Sequence, residues 1–128
     1  MARYDSVASL RADATATQPT ALIFHTSRCG STLATRMLVV INSCVVVDEF
    51  GIINTTLGER GAISTEERLA LVDLFLRAMG GLHDEVVIKL TSWNTLFLTE
   101  LAALSPTSLL LYLYRHPLEV LPSLCARP

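Results

Sequence analysis

The chain has 128 residues, 51% of them hydrophobic, and a formal net charge of −2; its mean hydropathy is +0.45. This is one domain's worth of sequence, apolar enough to bury elements on both sides of a sheet, and its charge balance excludes a broad basic surface for nucleic acid. Cys29, Cys44 and Cys125 lack any short paired spacing, which argues against a zinc site or a disulfide framework and makes a reduced, cytoplasmic setting the simplest expectation.

Residues 1–20 are rich in Ala and Thr and reach Pro19 without a basic segment and long apolar run, so they read as a leader to a domain over 21–128, not as a secretion signal. Ala21–His25 (ALIFH) is a continuous apolar run and predicts a buried strand. Ser31–Ile41 has helical spacing, with Leu33, Met37, Leu38 and Ile41 on one side. Cys44–Asp48 (CVVVD) predicts a second strand, and Phe50–Leu57 a loop or short helix. Ser64-Thr65-Glu66-Glu67 is a capping box opening a helix to about Met79, stopped by Gly80-Gly81, with Glu66, Asp73 and Arg77 as a narrow polar stripe.

Glu85–Thr91 (EVVIKLT) predicts a third strand, and Asn94–Leu104 a third helix closed by Ser105-Pro106. Ser108–Tyr114 (SLLLYLY) predicts a fourth strand; it is far shorter than the ~20 residues of a membrane helix. His116-Pro117 opens a last helix, Pro being favoured at the first helical position, and Pro122 inside it is expected to kink it. Apolar strands alternating with helices predict an α/β fold, a parallel sheet sandwiched by helices. The sequence stops about three turns into that last helix, and the expectation is the N-terminal part of a larger domain, with an incomplete sheet whose open edge invites homo-oligomerisation.

Ligands of such sheets bind beyond the carboxyl ends of the strands. After the first strand, His25-Thr26-Ser27-Arg28-Cys29-Gly30-Ser31-Thr32-Leu33 leads into a helix N-terminus, where backbone amides and the helix dipole favour an anion such as phosphate or sulfate. An ATP-type loop needs G-x-x-x-x-G-K-[ST]; this one is shorter, with one Gly and Arg28 for charge, and the plain alternative is a capped turn. After the second strand, Asp48-Glu49-Phe50 offers either a general base or a helix cap with a solvated Glu. Lys89 is the sole lysine and lies in an apolar strand, where it requires an anion partner or an exposed strand end. After the fourth strand, Arg115 and Ser123 are spaced so that both reach one phosphate, while His116 is a base or, more commonly at such a position, a cap.

Together these residues resemble the sulfotransferase superfamily, in particular its bacterial and carbohydrate-type branches, from about Ala21 onward. Arg28-Cys29-Gly30-Ser31-Thr32-Leu33 is similar to that family's 5′-phosphosulfate loop, with Cys29 where Ser is usual. Arg115 and Ser123 match the spacing of its 3′-phosphate pair. Asp48-Glu49-Phe50-Gly51 resembles the segment carrying the catalytic Glu, with Phe50 where Pro is expected. The resemblance implies a P-loop-type frame and 3′-phosphoadenylyl sulfate as donor, with no metal. It implies cofactor binding by Arg28, Cys29, Gly30, Ser31, Thr32, Arg115 and Ser123, and catalysis by Glu49 as base, Arg28 at the leaving phosphate and Lys89 at the sulfuryl group. His25 is a second choice as base. The partners implied are the nucleotide donor and a small-molecule or carbohydrate acceptor, with neither nucleic acid nor membrane. The rival readings are a phosphate-loop kinase or related phosphotransferase, and a nucleotide-binding remnant without turnover.

Overall fold

A computed structural model gives the fold for residues 17–42, 44–59, 61 and 63–125; residues 1–16 of the expected leader lie outside the described residues. In chain order the elements are β1 (Ala21–His25), α1 (Ser31–Asn42), β2 (Val45–Asp48), α2 (Gly51–Gly58), α3 (Thr65–Gly80) and β3 (Val86–Lys89). A 3₁₀ turn (Ser92–Phe97), α4 (Leu98–Leu104), β4 (Leu109–Leu113) and α5 (Pro117–Cys125) complete them. The strands form one sheet in the order β2-β3-β1-β4, with every pair parallel.

The order dictates where the helices go. From β1 the chain crosses to β2 on one side, and from β3 it crosses to β4 on the other. Right-handed crossovers running in opposite directions place their helices on opposite faces. The side chains agree. On one face Leu22, Phe24, Val86 and Ile88 pack with Ile53 and Leu57 of α2, Val72 and Leu76 of α3 and Leu101 of α4. On the other, Ala21, Ile23 and Val87 pack with Leu38 of α1. Each fully buried Leu, Ile or Phe in the first cluster contributes about 1.5–3 kcal/mol. The chain therefore changes direction between β1 and β3, and the crevice beyond their carboxyl ends is the binding position of such sheets.

Local signals explain most element ends. Ser64 Oγ accepts from the Glu67 amide at 3.1 Å while the Ser64 amide donates to Glu67 Oε2 at 2.9 Å, so the capping box at the start of α3 is complete. These hydrogen bonds hold the Glu67 carboxyl below its ordinary range. At the head of α5 the Leu118 amide donates to His116 Nδ1 at 3.3 Å, the capping alternative for that residue. The helix runs through Pro122 to Cys125.

Two expectations are revised. The helix expected over Asn94–Leu104 starts earlier and is tighter: Thr91 Oγ1 and Asn94 Nδ2 both donate to Asn54 Oδ1 at 2.8 Å, drawing Ser92–Phe97 into a 3₁₀ turn against α2. In α1 the apolar side is not the buried side. Ser31 and Thr35 are buried and Leu38 packs on the sheet, whereas Leu33, Met37 and Ile41 are exposed. The reason is that α1 is seated by its polar first turn over the strand ends, described below. Its apolar flank instead borders an open groove with Ile23, Leu111 and Leu113.

Residues 17–20 belong to the packed structure. The Leu109 amide donates to the Thr20 carbonyl at 2.9 Å, the Thr20 amide donates to the Val86 carbonyl at 2.8 Å, and Gln18 Nε2 donates to the Leu104 carbonyl at 3.2 Å. This segment passes so close to Gly80 that a Cβ there would stand 2.5 Å from the Thr17 carbonyl oxygen and 2.7 Å from the Pro19 nitrogen. Helix propensity alone favours Ala over Gly by about 1 kcal/mol, but overpacking against backbone costs about 1–3 kcal/mol. Gly80→Ala is therefore expected to lower the denaturant midpoint. Gly58→Ala, whose Cβ would rest 3.8 Å from Trp93 Cη2, is expected to leave it unchanged or raise it. The opposite ranking in equilibrium unfolding would refute the close approach.

Candidate functional site

The turn from β1 into α1 is built from left-handed backbone. Gly30 has φ 90° and Arg28 has φ 62°. Gly adopts such angles freely, whereas an L-residue is held there at a cost of roughly 1–2 kcal/mol. The Gly30 carbonyl accepts from the Leu33 and Ala34 amides at 3.0 and 3.2 Å and so starts the helix. The amides of Gly30, Ser31 and Thr32 have no backbone acceptor among the described residues. Those of Ser31 and Thr32 are the open donors that a helix N-terminus leaves. The Arg28 guanidinium is exposed and has no ion pair among the described residues.

Beneath this turn lies Lys89, 2% exposed at the end of β3. Strand register places it beside Ile23 of β1 and Asp48 of β2, on the sheet face that α1 covers. Its Nζ donates to Asp48 Oδ1 and to Glu49 Oε1, both at 2.8 Å, and reaches Thr32 Oγ1 at 3.5 Å. An ammonium has three donors, and all three are directed at partners. Burial alone pushes the Lys89 ammonium toward deprotonation; hydrogen bonds and charge attraction from Asp48 and Glu49 outweigh that, and its pKa lies above the ordinary 10.5.

Glu49 owes its place to the backbone. Its amide continues the ladder by donating to the Lys89 carbonyl at 2.8 Å, and its φ of 49° then turns the chain left-handed. That fold-back leaves the carboxylate half-exposed, with Oε1 held by Lys89. His25, at the end of β1, is buried; its Nε2 lies 3.6 Å from Glu49 Oε1 and its Nδ1 lies 3.0 Å from the Thr26 carbonyl. Together these groups form a cleft of about 390 Å³, lined by Arg28, Gly30, Ser31 and Thr32 of the loop, by His25 and Glu49, and by Thr91 and Ser92 beyond β3.

The structure thus brings Arg28, Gly30, Ser31, Thr32 and Glu49 to one cleft, with Lys89 directly below. Cys29 is half-buried and is not part of the lining. Arg115 lies apart from the cleft, exposed after β4, where its Nε donates to Glu119 Oε2 at 2.8 Å. Ser123 falls in α5, with its side chain outside the described residues. Sequence reasoning overlooked Thr91 and its partners Asn54 and Asn94. The available signal was the position of Thr91, just beyond the carboxyl end of a strand. Among the described residues no group of three or more His, Cys, Asp or Glu is placed to hold a metal ion, and no helix is long and apolar enough to cross a membrane.

Comparison of the chain with family models, curated proteins and solved structures returned no match.

The ion pairing of Lys89 fixes the sign of a pH effect. A lysine whose pKa is raised by folding contributes stability that is present below its unfolded value and lost as pH rises through the folded value. The wild type should therefore lose stability as pH rises above about 10.5, the ordinary lysine value. Lys89→Met should be less stable at neutral pH and lack this component of the alkaline loss. Paired urea titrations at pH 8 and pH 11 check it: an equal alkaline loss in both proteins contradicts the buried ion pair.

Proposed function

We propose that the protein acts as a sulfotransferase-like domain of P-loop type, transferring a sulfuryl group from 3′-phosphoadenylyl sulfate to a hydroxyl or amine acceptor. One observation carries this reading: unpaired loop amides and a carboxylate held by a buried lysine face the same cleft. An anion-binding turn next to an oriented base is what in-line transfer between an anionic donor and a neutral acceptor requires.

The acceptor oxygen or nitrogen bonds to sulfur as the bond from sulfur to the bridging phosphate oxygen breaks. Negative charge then grows on the departing 5′-phosphate of adenosine 3′,5′-bisphosphate. The Gly30, Ser31 and Thr32 amides and Arg28 supply donors fixed in advance for that charge. Glu49 takes the proton from the acceptor, through the carboxylate oxygen that Lys89 leaves free. In this reading Lys89 acts through Glu49, because its own protons are already committed to Asp48, Glu49 and Thr32. Arg115 exchanges Glu119 for the donor's 3′-phosphate, with Ser123 assigned to the same phosphate by its spacing. A phosphate-loop kinase fits less well, since it places a lysine in the loop. The exposed pair of Arg115 with Glu119 competes with that grip, and so weighs against binding of the 3′-phosphate and says nothing about turnover.

Thermal stabilisation separates the readings, because a ligand that binds only the folded state raises its stability by about 2.7 kcal/mol at a hundredfold excess over Kd. Adenosine 3′,5′-bisphosphate is expected to raise Tm more than ATP with Mg²⁺; preference for ATP sinks the proposal. Arg115→Ala should abolish most of the advantage of the bisphosphate over adenosine 5′-phosphate, and equal losses for both ligands would make Arg115 structural. Glu49→Gln is expected to retain the bisphosphate shift and lose transfer by about 10²-fold or more. Retained turnover removes Glu49 as the base.

A further inference from the structure

His25 is the one buried ionisable side chain of the cleft that the transfer scheme leaves idle. It is 5% exposed, and its ring is oriented by a single contact, Nδ1 to the Thr26 carbonyl at 3.0 Å. A carbonyl only accepts, so Nδ1 carries the proton of that hydrogen bond. A neutral ring then presents a bare lone pair at Nε2. That atom is shielded from solvent and has no hydrogen-bond partner among the described residues. Facing it, 3.6 Å away, is Glu49 Oε1, the oxygen that Lys89 grips at 2.8 Å.

A lone pair turned toward a carboxylate oxygen is complementary only with a proton between them. Lys89, itself paired to Asp48, donates a hydrogen bond to Glu49 Oε1 but none to His25. We infer that His25 and Glu49 form a proton-sharing pair, in which the proton that Glu49 takes from the acceptor passes on to His25 Nε2. This rests on the sulfuryl-transfer reading for the source of the proton, while the pair itself is a property of the ligand-free chain.

The steps balance. The acceptor's O–H or N–H bond breaks and an O–H bond forms on Glu49. A half-turn of the carboxyl group presents that proton to Nε2, where an N–H bond forms and the carboxylate is restored. The resulting imidazolium donates to Thr26 through Nδ1 and to Glu49 through Nε2. The 3.6 Å separation closes to hydrogen-bond length as the cleft fills, in the way that catalytic contacts tighten on substrate binding. His25 is thus a positioning and proton-storing residue behind the base.

Nitrogen-15 NMR of the full chain labelled at histidine tests the pair without any substrate, with His83→Gln and His116→Gln assigning the other two rings. The expected result is a protonated Nδ1 on His25, and an Nε2 resonance that moves on Glu49→Gln while Nδ1 stays in place. A neutral ring protonated on Nε2, or an Nε2 signal indifferent to Glu49→Gln, overturns the pair. His25→Asn keeps a donor for the Thr26 carbonyl and removes Nε2. It should lower kcat about 10²-fold with an unchanged Tm shift by adenosine 3′,5′-bisphosphate, and an unchanged kcat overturns the relay. A wild-type chain with the NMR signature but no sulfuryl transfer overturns the proposed function and leaves the pair standing.

Discussion

The buried ammonium of Lys89 is the constraint on which the rest of the site depends. A charge taken out of water is tolerated only where opposite charges and hydrogen-bond acceptors replace the solvent. Here they come from two separate pieces of chain: Asp48 and Glu49 at the end of β2, and Thr32 in the first turn of α1. Satisfying one side chain therefore links the first turn of α1 to Glu49. The same requirement explains the orientation of α1. Its polar edge, with Ser31 and Thr35 buried, is drawn over the strand ends, and its apolar edge is left to the open groove.

Two left-handed residues complete that geometry. Arg28 and Glu49 both have positive φ, and neither is glycine. Backbone strain of this kind persists where surrounding structure over-determines it, and it concentrates at functional positions. At Glu49 the restraint is visible on both sides: its amide is tied to the Lys89 carbonyl and its carboxylate to the Lys89 ammonium. One residue thus holds Glu49 by both its main chain and its side chain. Asp48, paired to the same ammonium, balances the second unit of charge, so that the two cations Arg28 and Lys89 are matched by the two carboxylates.

The strands were legible because each is a short apolar run bounded by polar residues, and the four fall within about one or two residues of expectation. The capping box of α3 was legible for a local reason too, since Ser64 and Glu67 complete each other without help from the rest of the fold. What local pattern does not carry is pairing. Nothing in VIKLT states that Lys89 lies between Ile23 and Asp48; that follows from the order β2-β3-β1-β4. The 3₁₀ turn at Ser92–Phe97 depends on Asn54, nearly forty residues earlier. The structure brings the loop, Glu49 and Lys89 together. Arg115 does not join them, and the local signal for its different partner was the i, i+4 spacing to Glu119.

The two halves of the sheet differ in what supports them, and this bears on how a two-ended grip would work. β1 and β3 are buried along their whole lengths, under α2, α3 and α4 on one face. They carry the loop, Lys89 and, through pairing with β3, the segment of Glu49. β4 is an edge strand with Leu109, Leu110 and Tyr112 exposed, and α5 beyond it exposes Leu118 and Leu121. Regions with few buried apolar contacts open at lower free energy than the core. Lys89 and the loop are thus tied to the buried strands β1 and β3, while the residues that the proposed function assigns to the 3′-phosphate follow the edge strand β4. A nucleotide bound as proposed would bridge the two. Under the proposed function, its 3′-phosphate would compete against Glu119 for the Arg115 guanidinium. In such an arrangement recognition and chemistry are governed by separate parts of the same sheet, joined only through β1.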